Sequence, residues 1–386
     1  MKSKHPYPIA KIGLIGGGQL GRMIVEAAKK IGCECIVLDP VENSPAGQIA
    51  AKQILGSHHD EEKINQLASE TDFITFELEN INTKALQRLE NEGHKIYPSP
   101  SVLKTIQDKL LQKRFLSAND IPSAEFSEIE RPSIETFKNF GFPLVQKLRL
   151  GGYDGQGVVV MKSEADYQKN INQKSLIEKF IDAKKEIAII VARSSAGEVK
   201  TFPPVEMSIR SEENVLDMLF APAGIKDEIK IEAETIAIKT IESLQGIGVF
   251  GIEMFIDQNE KILVNEIAPR PHNSGHHTIE ANITNQFEQH LRAILGLPLG
   301  NTDTLISAAM VNLFGAEGEF GAPVLNGLSE VLEIPGVHLH LYGKAATRPF
   351  RKMGHITILD SDMLSAKEKA LRVKEIITIE SEEDNE

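Results

Sequence analysis

Two acidic residues lie in the middle of neighbouring hydrophobic segments. Glu253 is surrounded by Val, Ile, Met and Phe at 249–256, and Glu266 lies in the apolar segment 262–267. Both segments are typical of β-strands, and the polar residues 257–260 predict a hairpin turn between them. Two carboxylates on adjacent strands are costly to bury and repel each other unless a cation lies between them. Because Mg²⁺ takes carboxylate oxygens and usually keeps substrate phosphates as ligands, the pair predicts a magnesium–nucleotide site.

Length and charge limit the classes of protein that the chain can belong to. A chain of 386 residues is too long for one ordinary core, so we expect two or three domains. The net charge of −13 argues against general binding of nucleic acid or anionic membranes. Cys33 and Cys35 are too close for an ordinary disulfide and favour a core role in a reducing compartment. Neither a signal peptide nor a spanning apolar run is apparent, so we expect a cytoplasmic protein.

The first hundred residues alternate between strand and helix patterns, which is typical of an open, mostly parallel α/β domain. Strands are expected at 12–15, 33–38, 73–76 and 95–97, and helices at 22–31, 61–69 and 83–92. A Pro-Ser-Pro-Ser segment at 98–101 marks a boundary, and a single helix is predicted at 101–118.

The turn after the first strand carries Gly16, Gly18 and Gly21, which match the pattern of a dinucleotide-binding turn. Asp39 ends the next strand, where such proteins place a ribose ligand. An NAD-dependent oxidoreductase is therefore one alternative. A helix N-terminus of this kind also binds other phosphates, and a tight turn that simply requires glycine is equally compatible with the pattern.

A second glycine-rich loop, 151–157, lies between strands predicted at 142–147 and 158–161 in a smaller α+β module. Glycine lets backbone N–H groups approach phosphates closely, and Lys147 on the entering strand can point at the same phosphates. A phosphate-binding lid is favoured over a bare hairpin. At the end of a later strand, backbone groups of 178–181 are candidates for an adenine edge and Glu186 for ribose hydroxyls, with solvated surface charges as the alternative.

A rigid loop with two prolines follows the second acidic strand and holds Arg270, His272 and Asn273 in a geometry suited to an anionic substrate. His276 and His277 have no Cys or His partners at zinc-ligand spacing, so packed or surface histidines are expected.

A basic stretch near the end of the chain is either a solvated patch or a site for a substrate phosphate. It comprises Lys344, Arg348, Arg351 and Lys352.

Together these motifs resemble the ATP-grasp superfamily. More specific strings are similar to the N5-carboxyaminoimidazole ribonucleotide synthetases of purine biosynthesis, and the resemblance runs from about residue 10 to 360. These strings are 17–22, 75–80, 151–155, 265–276, 342–344 and 351–355. The resemblance implies an α/β and α+β chain with the ATP-grasp fold. Its parts would be an N-terminal Rossmann-like (pre-ATP-grasp) domain at 1–104, an ATP-grasp domain at 105–302 with a small lid at about 120–185, and a C-terminal mixed α+β domain at 303–386.

The resemblance also implies a reaction. An ATP-dependent C–N ligase would convert 5-aminoimidazole ribonucleotide, bicarbonate and ATP, through carboxyphosphate, to N5-carboxyaminoimidazole ribonucleotide, ADP and phosphate in IMP biosynthesis. It implies Mg²⁺, a cytoplasmic homodimer and a separate mutase as the next enzyme. The alternative within the fold is a ligase such as formate-dependent glycinamide ribonucleotide transformylase, whose lid normally lacks Tyr-Asp. A non-catalytic binding module is a third possibility, which intact Lys147, Glu253 and Glu266 disfavour.

Carried over by position, the resemblance assigns roles to four groups of residues. ATP would be bound by Lys109, Lys147, Gly152, Tyr153, Asp154, Gly155, Gln156, Gly157, Glu178, Lys179, Phe180, Ile181, Glu186, Asn265 and Glu266. Mg²⁺ would be held by Glu253 and Glu266, and the ribonucleotide by Gln19, Leu20, Glu77, Lys344 and Arg351. The catalytic centre would comprise Tyr153, Asp154, Arg270, His272 and Asn273, with Asp154 or released phosphate taking the amine proton. Two positions depart from the family pattern: Gln156, where Lys or Arg is common, and Arg210, where a His is usual.

Overall fold

The computed structural model describes residues 6–152, 157–210 and 215–382. Its N-terminal part is a parallel sheet in the order β3-β2-β1-β4-β5, which confirms the predicted open α/β domain and adds one strand, β3, that was not predicted. The strands are β1 (Lys11–Ile15), β2 (Glu34–Asp39), β3 (Lys52–Leu55), β4 (Phe73–Phe76) and β5 (Lys95–Ile96), and the helices are α1 (Gln19–Lys30), α2 (Glu61–Ser69) and α3 (Thr83–Asn91). Cys33 and Cys35 are unpaired and buried in this core.

The helix predicted at 101–118 is instead two helices, α4 (Pro100–Gln107) and α5 (Lys109–Ala118). Asp108 between them has an extended backbone with φ −98° and ψ 108°, and its carboxylate accepts the N–H of Leu110 at 3.0 Å as the cap of α5. An Asp that caps the next helix offers the backbone an alternative to continuing the first one. The prediction of a single helix was wrong at this residue.

A small antiparallel sheet follows, with the strand order β6-β9-β7-β8. Its elements are β6 (Phe126–Ile129), α6 (Ile134–Phe140), β7 (Leu144–Leu148), β8 (Val158–Met161), a 3₁₀ turn at Glu164–Lys169 and β9 (Ser175–Lys179). Phe137 of α6 packs on Leu144, Met161 and Ile177, which gives this unit a hydrophobic core of its own. The predicted smaller α+β module is therefore present.

The largest sheet has nine strands in the order β15-β14-β10-β12-β13-β16-β19-β18, with β11 added beside β10. Its strands are β10 (Ala183–Arg193), β11 (Val199–Thr201), β12 (Val205–Arg210), β13 (Val215–Ala221), β14 (Gly248–Asp257), β15 (Ile262–Ala268), β16 (Ser307–Phe314), β18 (Val337–Leu341) and β19 (Lys352–Asp360). The remaining elements are α7 (Asp227–Leu244), a 3₁₀ turn at Asn273–Gly275, α8 (Thr278–Ala281), α9 (Gln286–Ile294), β17 (Pro323–Asn326), α10 (Leu328–Leu332), α11 (Met363–Ile376) and β20 (Thr378–Ser381).

Helix α9 joins the large sheet to the N-terminal domain. Its residues Phe287 and Leu291 enter the N-terminal core, and the ring of His290 accepts the N–H of Val249 at 3.0 Å and contacts Thr75 Oγ1 at 2.8 Å. Because strand β16 pairs with β13, the large sheet runs without interruption across the boundary expected at 302–303. The domain boundaries therefore stay a prediction. Within the described residues, no helix is both long and apolar enough to cross a membrane.

Candidate active site

The acidic pair lies where the sequence places it. Glu253 of β14 is directly opposite Glu266 of β15 in the antiparallel register, and a bulge follows between Glu253 and Met254. The two side chains are 29% and 44% exposed, so they line an open cleft rather than the core. The predicted hairpin is confirmed.

Three predicted ATP ligands converge on this pair from other elements. Lys109 at the start of α5 forms an ion pair with Glu266 at 2.7 Å. Lys147 of β7 donates to Asn265 Oδ1 at 2.9 Å and lies 3.2 Å from the carboxylate of Glu178 on β9. The lid sheet, α5 and the acidic hairpin therefore meet at one ionic network.

Lys113 belongs to the same network, although sequence reasoning missed it. Its side chain is only 3% exposed, and its Nζ lies 3.1 Å from Glu178 Oε2. Burial works against ionisation of Glu178, but the ammonium groups of Lys147 and Lys113 on its two sides lower its pKa. One sequence feature could have indicated this role: Lys113 lies one helical turn after Lys109 on a predicted helix.

The two carboxylates of the pair ionise very differently. Desolvation, together with the nearby carboxylates of Glu266 and Glu186, raises the pKa of Glu253 to about 7. Desolvation also opposes ionisation of Glu266, but Lys109 and Lys147 lower its pKa to about 2. At Glu253, burial and the two neighbouring carboxylates therefore outweigh the ammonium groups of Lys109 and Lys147, which act in the opposite direction. Two carboxylates facing a cleft fit Mg²⁺, which is bound by one or two carboxylates plus phosphates.

The predicted adenine-binding segment lies at the edge of the same cleft. The backbone N–H of Lys179 is donated to Glu125 O at 2.9 Å and that of Phe180 to Pro143 O at 3.3 Å. Neither N–H can therefore donate to an adenine edge without breaking a hydrogen bond within the chain. Burial raises the pKa of Glu186 on β10. The adenine and ribose contacts stay a prediction.

Tyr153, Asp154, Gly155 and Gln156 lie outside the described residues. Their neighbours define the base of the glycine-rich loop. Gly157 has φ 75°, and a Cβ there would lie 2.7 Å from Leu148 Cδ1. The hairpin closes through Leu148 N, which donates to Gly157 O at 2.8 Å. Gly157 is thus required by the fold at this position, and Gly152 lies at the other end of the loop.

The N-terminal glycine turn differs from the dinucleotide-binding pattern that its sequence suggests. The Glu77 carboxylate accepts the N–H of Gly18 and, at 2.6 Å, that of Gly21. The Asp39 carboxylate accepts the N–H of Gly17 at 2.7 Å. The positions at which a phosphate and a ribose would bind are filled by side chains of the chain itself, which favours the structural interpretation of this turn over an NAD site.

The strand order brings three predicted ribonucleotide ligands to one crevice. Strands β1 and β4 are neighbours, although β2 and β3 follow β1 in the chain, and ligands of open α/β sheets bind at such a switch point. Gln19 follows β1 and Glu77 follows β4. Leu20 is 7% exposed and packs in the N-terminal core, so it can contact a substrate only through its backbone.

The proline-rich loop after β15 connects this crevice to the acidic pair. Arg270 forms an ion pair with Glu79 at 2.8 Å, which ties the loop to the segment after β4. His272 Nε2 lies 3.5 Å from Glu253 Oε1. The side-chain amide of Asn273 is buried with neither polar atom hydrogen-bonded to a described residue, as expected of a group that serves a ligand.

His276 and His277 are buried in the interior. The ring of His276 lies 4.6 Å from that of His355, which in turn stacks on His340 at 4.4 Å. Burial lowers the pKa of His277 to about 4. Both side chains are almost fully buried, so the expectation of packed histidines is confirmed.

The C-terminal basic segment lies against helix α1, near the switch point. Gln48 Nε2 donates to Gly343 O at 2.7 Å, and a Cβ on Gly343 would lie 3.1 Å from Arg22 Nη1. Arg351 donates to Ala346 O at 2.6 Å, and its pKa is lowered by burial and by the neighbouring guanidinium of Arg348. Such like-charge crowding is relieved by an anion.

Lys344 Nζ, in the same segment, donates to Lys352 O at 2.5 Å. Arg22 was missed as a member of this cationic group, although it lies in the family-like string 17–22. Its guanidinium donates to Gln48 Oε1 at 2.9 Å.

Three family models match successive parts of the chain. They are the ribonucleotide synthetase preATP-grasp domain at 9–107, the ATP-grasp domain at 114–287 and the phosphoribosylaminoimidazole carboxylase C-terminal domain at 308–369. A curated relative, the N5-carboxyaminoimidazole ribonucleotide synthase of Bacillus subtilis, is 38% identical over 366 residues, which are 93% of this chain and 94% of the relative. The chain belongs to the N5-carboxyaminoimidazole ribonucleotide synthetase family of ATP-grasp ligases.

Solved structures of this synthetase family have the same architecture. The Thermotoga maritima synthetase has a TM-score of 0.90 at 49% identity, covering 97% of this chain and 100% of that one. The Aspergillus clavatus synthase, in complex with ADP and 5-aminoimidazole ribonucleotide, has a TM-score of 0.88 at 34% identity, covering 95% and 98%. The phosphoribosylaminoimidazole carboxylase of Schizosaccharomyces pombe is 42% identical over 90% of this chain, which spans only 64% of that relative's length.

Proposed function

We propose that the protein carboxylates 5-aminoimidazole ribonucleotide with bicarbonate at the expense of ATP, forming N5-carboxyaminoimidazole ribonucleotide, ADP and phosphate in purine biosynthesis. The observation that carries the proposal is the opposed pair Glu253 and Glu266, surrounded by Lys109 and Lys147, in a chain of this synthetase family. A cleft with these groups suits phosphoryl transfer, in which catalysis is almost entirely positioning and charge stabilisation.

At the nucleotide end, Lys109 and Lys147 would exchange their carboxylate and amide partners for phosphate oxygens. Glu253 and Glu266 would hold Mg²⁺, which would supply charge neutralisation for the phosphates. An oxygen of bicarbonate would attack the γ-phosphorus as ADP leaves, and the product is carboxyphosphate. Fixed cations and N–H groups around the transferred phosphoryl group are the usual source of rate enhancement in such a step.

At the substrate end, the exocyclic amine would attack the carboxyl carbon of carboxyphosphate. Phosphate would leave, and the amine would lose a proton to Asp154 or to that phosphate. Arg270, His272 and Asn273 would orient the carboxylate, because their loop lies between the acidic pair and the crevice beside β1 and β4. Lys344 and Arg351 would bind the substrate phosphate.

The other ATP-grasp candidate, a formate-dependent glycinamide ribonucleotide transformylase, is not favoured. The match of residues 308–369 to a phosphoribosylaminoimidazole carboxylase C-terminal domain supports the carboxylating reaction. We further propose that the enzyme acts in the cytoplasm as a homodimer and passes its product to a separate mutase.

The decisive experiment measures phosphate release from Mg-ATP and bicarbonate, with and without 5-aminoimidazole ribonucleotide. The variant is Glu266→Gln, and the matched control is Glu260→Gln, which lies in the turn of the same hairpin and pairs with Lys226 at 2.7 Å, away from the cleft. We expect strong stimulation by the ribonucleotide in the wild type and the control, and loss of turnover in Glu266→Gln. If glycinamide ribonucleotide and formate stimulated turnover instead, the proposed substrate would be wrong.

A further inference from the structure

We infer that Gln286 is a positioning residue that sets the place of His272 in the reacting centre. The inference rests on the proposed function, since it gives His272 a role there. Gln286 is fully buried at the start of α9. Its Nε2 donates to His272 O at 2.8 Å, and its Oε1 accepts the N–H of His272 at 2.8 Å. One side chain therefore holds both backbone polar groups of His272.

The surrounding residues fix this pair of hydrogen bonds. A Cβ on Gly275 would lie 2.4 Å from Gln286 Oε1, so only glycine lets the loop approach the amide this closely. Thr278 Oγ1 donates to Gly275 O at 2.6 Å and accepts the N–H of Gln286 at 3.0 Å. The loop and the first turn of α9 are thereby locked to each other.

The backbone position of His272 determines where its ring lies. A Cβ on Gly251 would lie 2.5 Å from His272 Cβ, so the backbone of β14 packs directly against the side chain of His272. His272 Nδ1 accepts the N–H of Ser274 at 3.3 Å, and Nε2 faces Glu253 Oε1 at 3.5 Å. A nitrogen that accepts a backbone N–H has no proton, so in the neutral ring the proton is on Nε2, toward the acidic pair.

Loss of Gln286 would leave the His272 N–H without its acceptor and His272 O with only the N–H of Gly275, at 2.9 Å, and the loop would be free to shift. A displacement of about 1 Å in a reacting group can cost about 100-fold in rate. Gln286 Nε2 also lies 3.3 Å from His276 Nδ1, in the buried histidine cluster. Because neither His272 nor His276 is a predicted ATP ligand, removal of Gln286 should lower kcat and leave the KM for ATP unchanged.

The chain provides a matched control on the same helix. Gln289 is also fully buried, donates from Nε2 to Gly300 O at 3.1 Å, and accepts the N–H of Gly300 at 2.8 Å through Oε1. Its hydrogen bonds have the same form as those of Gln286, but they hold a loop that carries none of the predicted site residues.

The experiment compares Gln286→Met with Gln289→Met, using thermal unfolding and ribonucleotide-dependent phosphate release. We expect similar losses of Tm, a fall in kcat of about 10- to 100-fold in Gln286→Met only, and a KM for ATP within about twofold of wild type in both, since neither variant touches the nucleotide cleft. Equal kcat values in the two variants, whether both low or both near wild type, would overturn the inference.

A conservative variant keeps the test decisive if Gln286→Met does not fold. Gln286→Glu retains the acceptor for His272 N–H, and a protonated carboxyl also supplies the donor. Burial favours the protonated form, so the activity of this variant relative to wild type should rise as the pH falls. A ratio independent of pH would contradict the inference. A wild-type enzyme without ribonucleotide-dependent turnover would instead overturn the proposed function.

Discussion

The N-terminal glycine turn and the lysine cleft both have the groups with which proteins bind phosphate, but the fold uses them differently. At the turn, the N–H groups of Gly17, Gly18 and Gly21 are donated to Asp39 and Glu77. In the cleft, Lys109 and Lys147 are paired with side chains at the surface of an open site. Groups that resemble a phosphate-binding motif can therefore bind a phosphate only where their partner within the chain can be replaced by the ligand.

The physical difference lies in the mobility of the donors. Backbone N–H groups at a helix N-terminus are fixed, and those of Gly18 and Gly21 already donate to the buried Glu77 side chain. A lysine ammonium lies at the end of a flexible chain and can turn from a carboxylate to a phosphate. We therefore expect the N–H groups of the turn to contribute to stability and the lysines of the cleft to nucleotide binding, and substitutions in either region can test this division.

The largest effect is expected for Lys147→Met. This change removes the charge that would stabilise the transferred phosphoryl group, so kcat for phosphate release should fall about 100- to 1,000-fold. Thermal unfolding should show that the fold is retained. Lys174→Met is the control, because Lys174 lies on the same lid and pairs with Glu130 at 2.8 Å, away from the cleft. A rate near wild type would remove Lys147 from the nucleotide site.

Glu77→Gln should reduce the free energy of unfolding by about 1.5–3 kcal/mol, because hydrogen bonds from the N–H groups of Gly18 and Gly21 to a charged acceptor are replaced by weaker ones to a neutral amide. Chemical denaturation measures this loss, and Glu34→Gln, at an exposed strand end, should change stability by less than about 0.5 kcal/mol. If the wild-type turn bound pyrophosphate or NAD, the division between the two regions would fail.

Arg351→Ala should raise the KM for 5-aminoimidazole ribonucleotide about tenfold, because the variant would lose one charge-assisted hydrogen bond to the substrate phosphate. The KM for ATP should not change, because Arg351 belongs to the C-terminal basic segment, where it donates to Ala346 O, and not to the lysine cleft. Steady-state kinetics with each substrate varied in turn separates the two constants. An increase in the KM for ATP alone would place the basic segment in the nucleotide site.

Binding of Mg-ADP should weaken as the pH falls below about 7, by at most about tenfold per pH unit, because a cation requires Glu253 to be ionised. Between pH 4.5 and 7 the folded protein holds a proton on Glu253 that the unfolded chain releases. The contribution of this group to stability therefore decreases as the pH rises through that window. Calorimetry in two buffers would measure the proton released on binding.

Glu253→Gln, in which position 253 cannot ionise, should lose this pH dependence. If the variant retained the wild-type pH profile, the titration would belong to another group.

The sequence was most informative where local patterns determine structure. The hairpin of Glu253 and Glu266 follows from alternation and a polar turn, and strand pairing alone brings the two carboxylates opposite each other. The break at Asp108 was missed because a capping side chain competes with a helical pattern that otherwise continues.

Long-range partners could not be predicted from such patterns. Glu77 fills a turn that ends 56 residues earlier, and Gln286 reaches His272 across 14 residues. Nothing in the spacing of these residues indicates that they meet. The alternative of an NAD site arose for the same reason. The glycine pattern does not reveal that carboxylates from distant parts of the chain accept the N–H groups of the turn.

The shared carboxylate of Glu178 has a consequence for turnover. Lys113 and Lys147 lie on its two sides at 3.1 and 3.2 Å. If Lys147 turns toward a phosphate, as we propose, Lys113 would remain beside Glu178 and would keep this buried carboxylate paired. The reorganisation energy of loading and unloading the nucleotide would then be small, and the electrostatic environment of the cleft would change little from one turnover to the next.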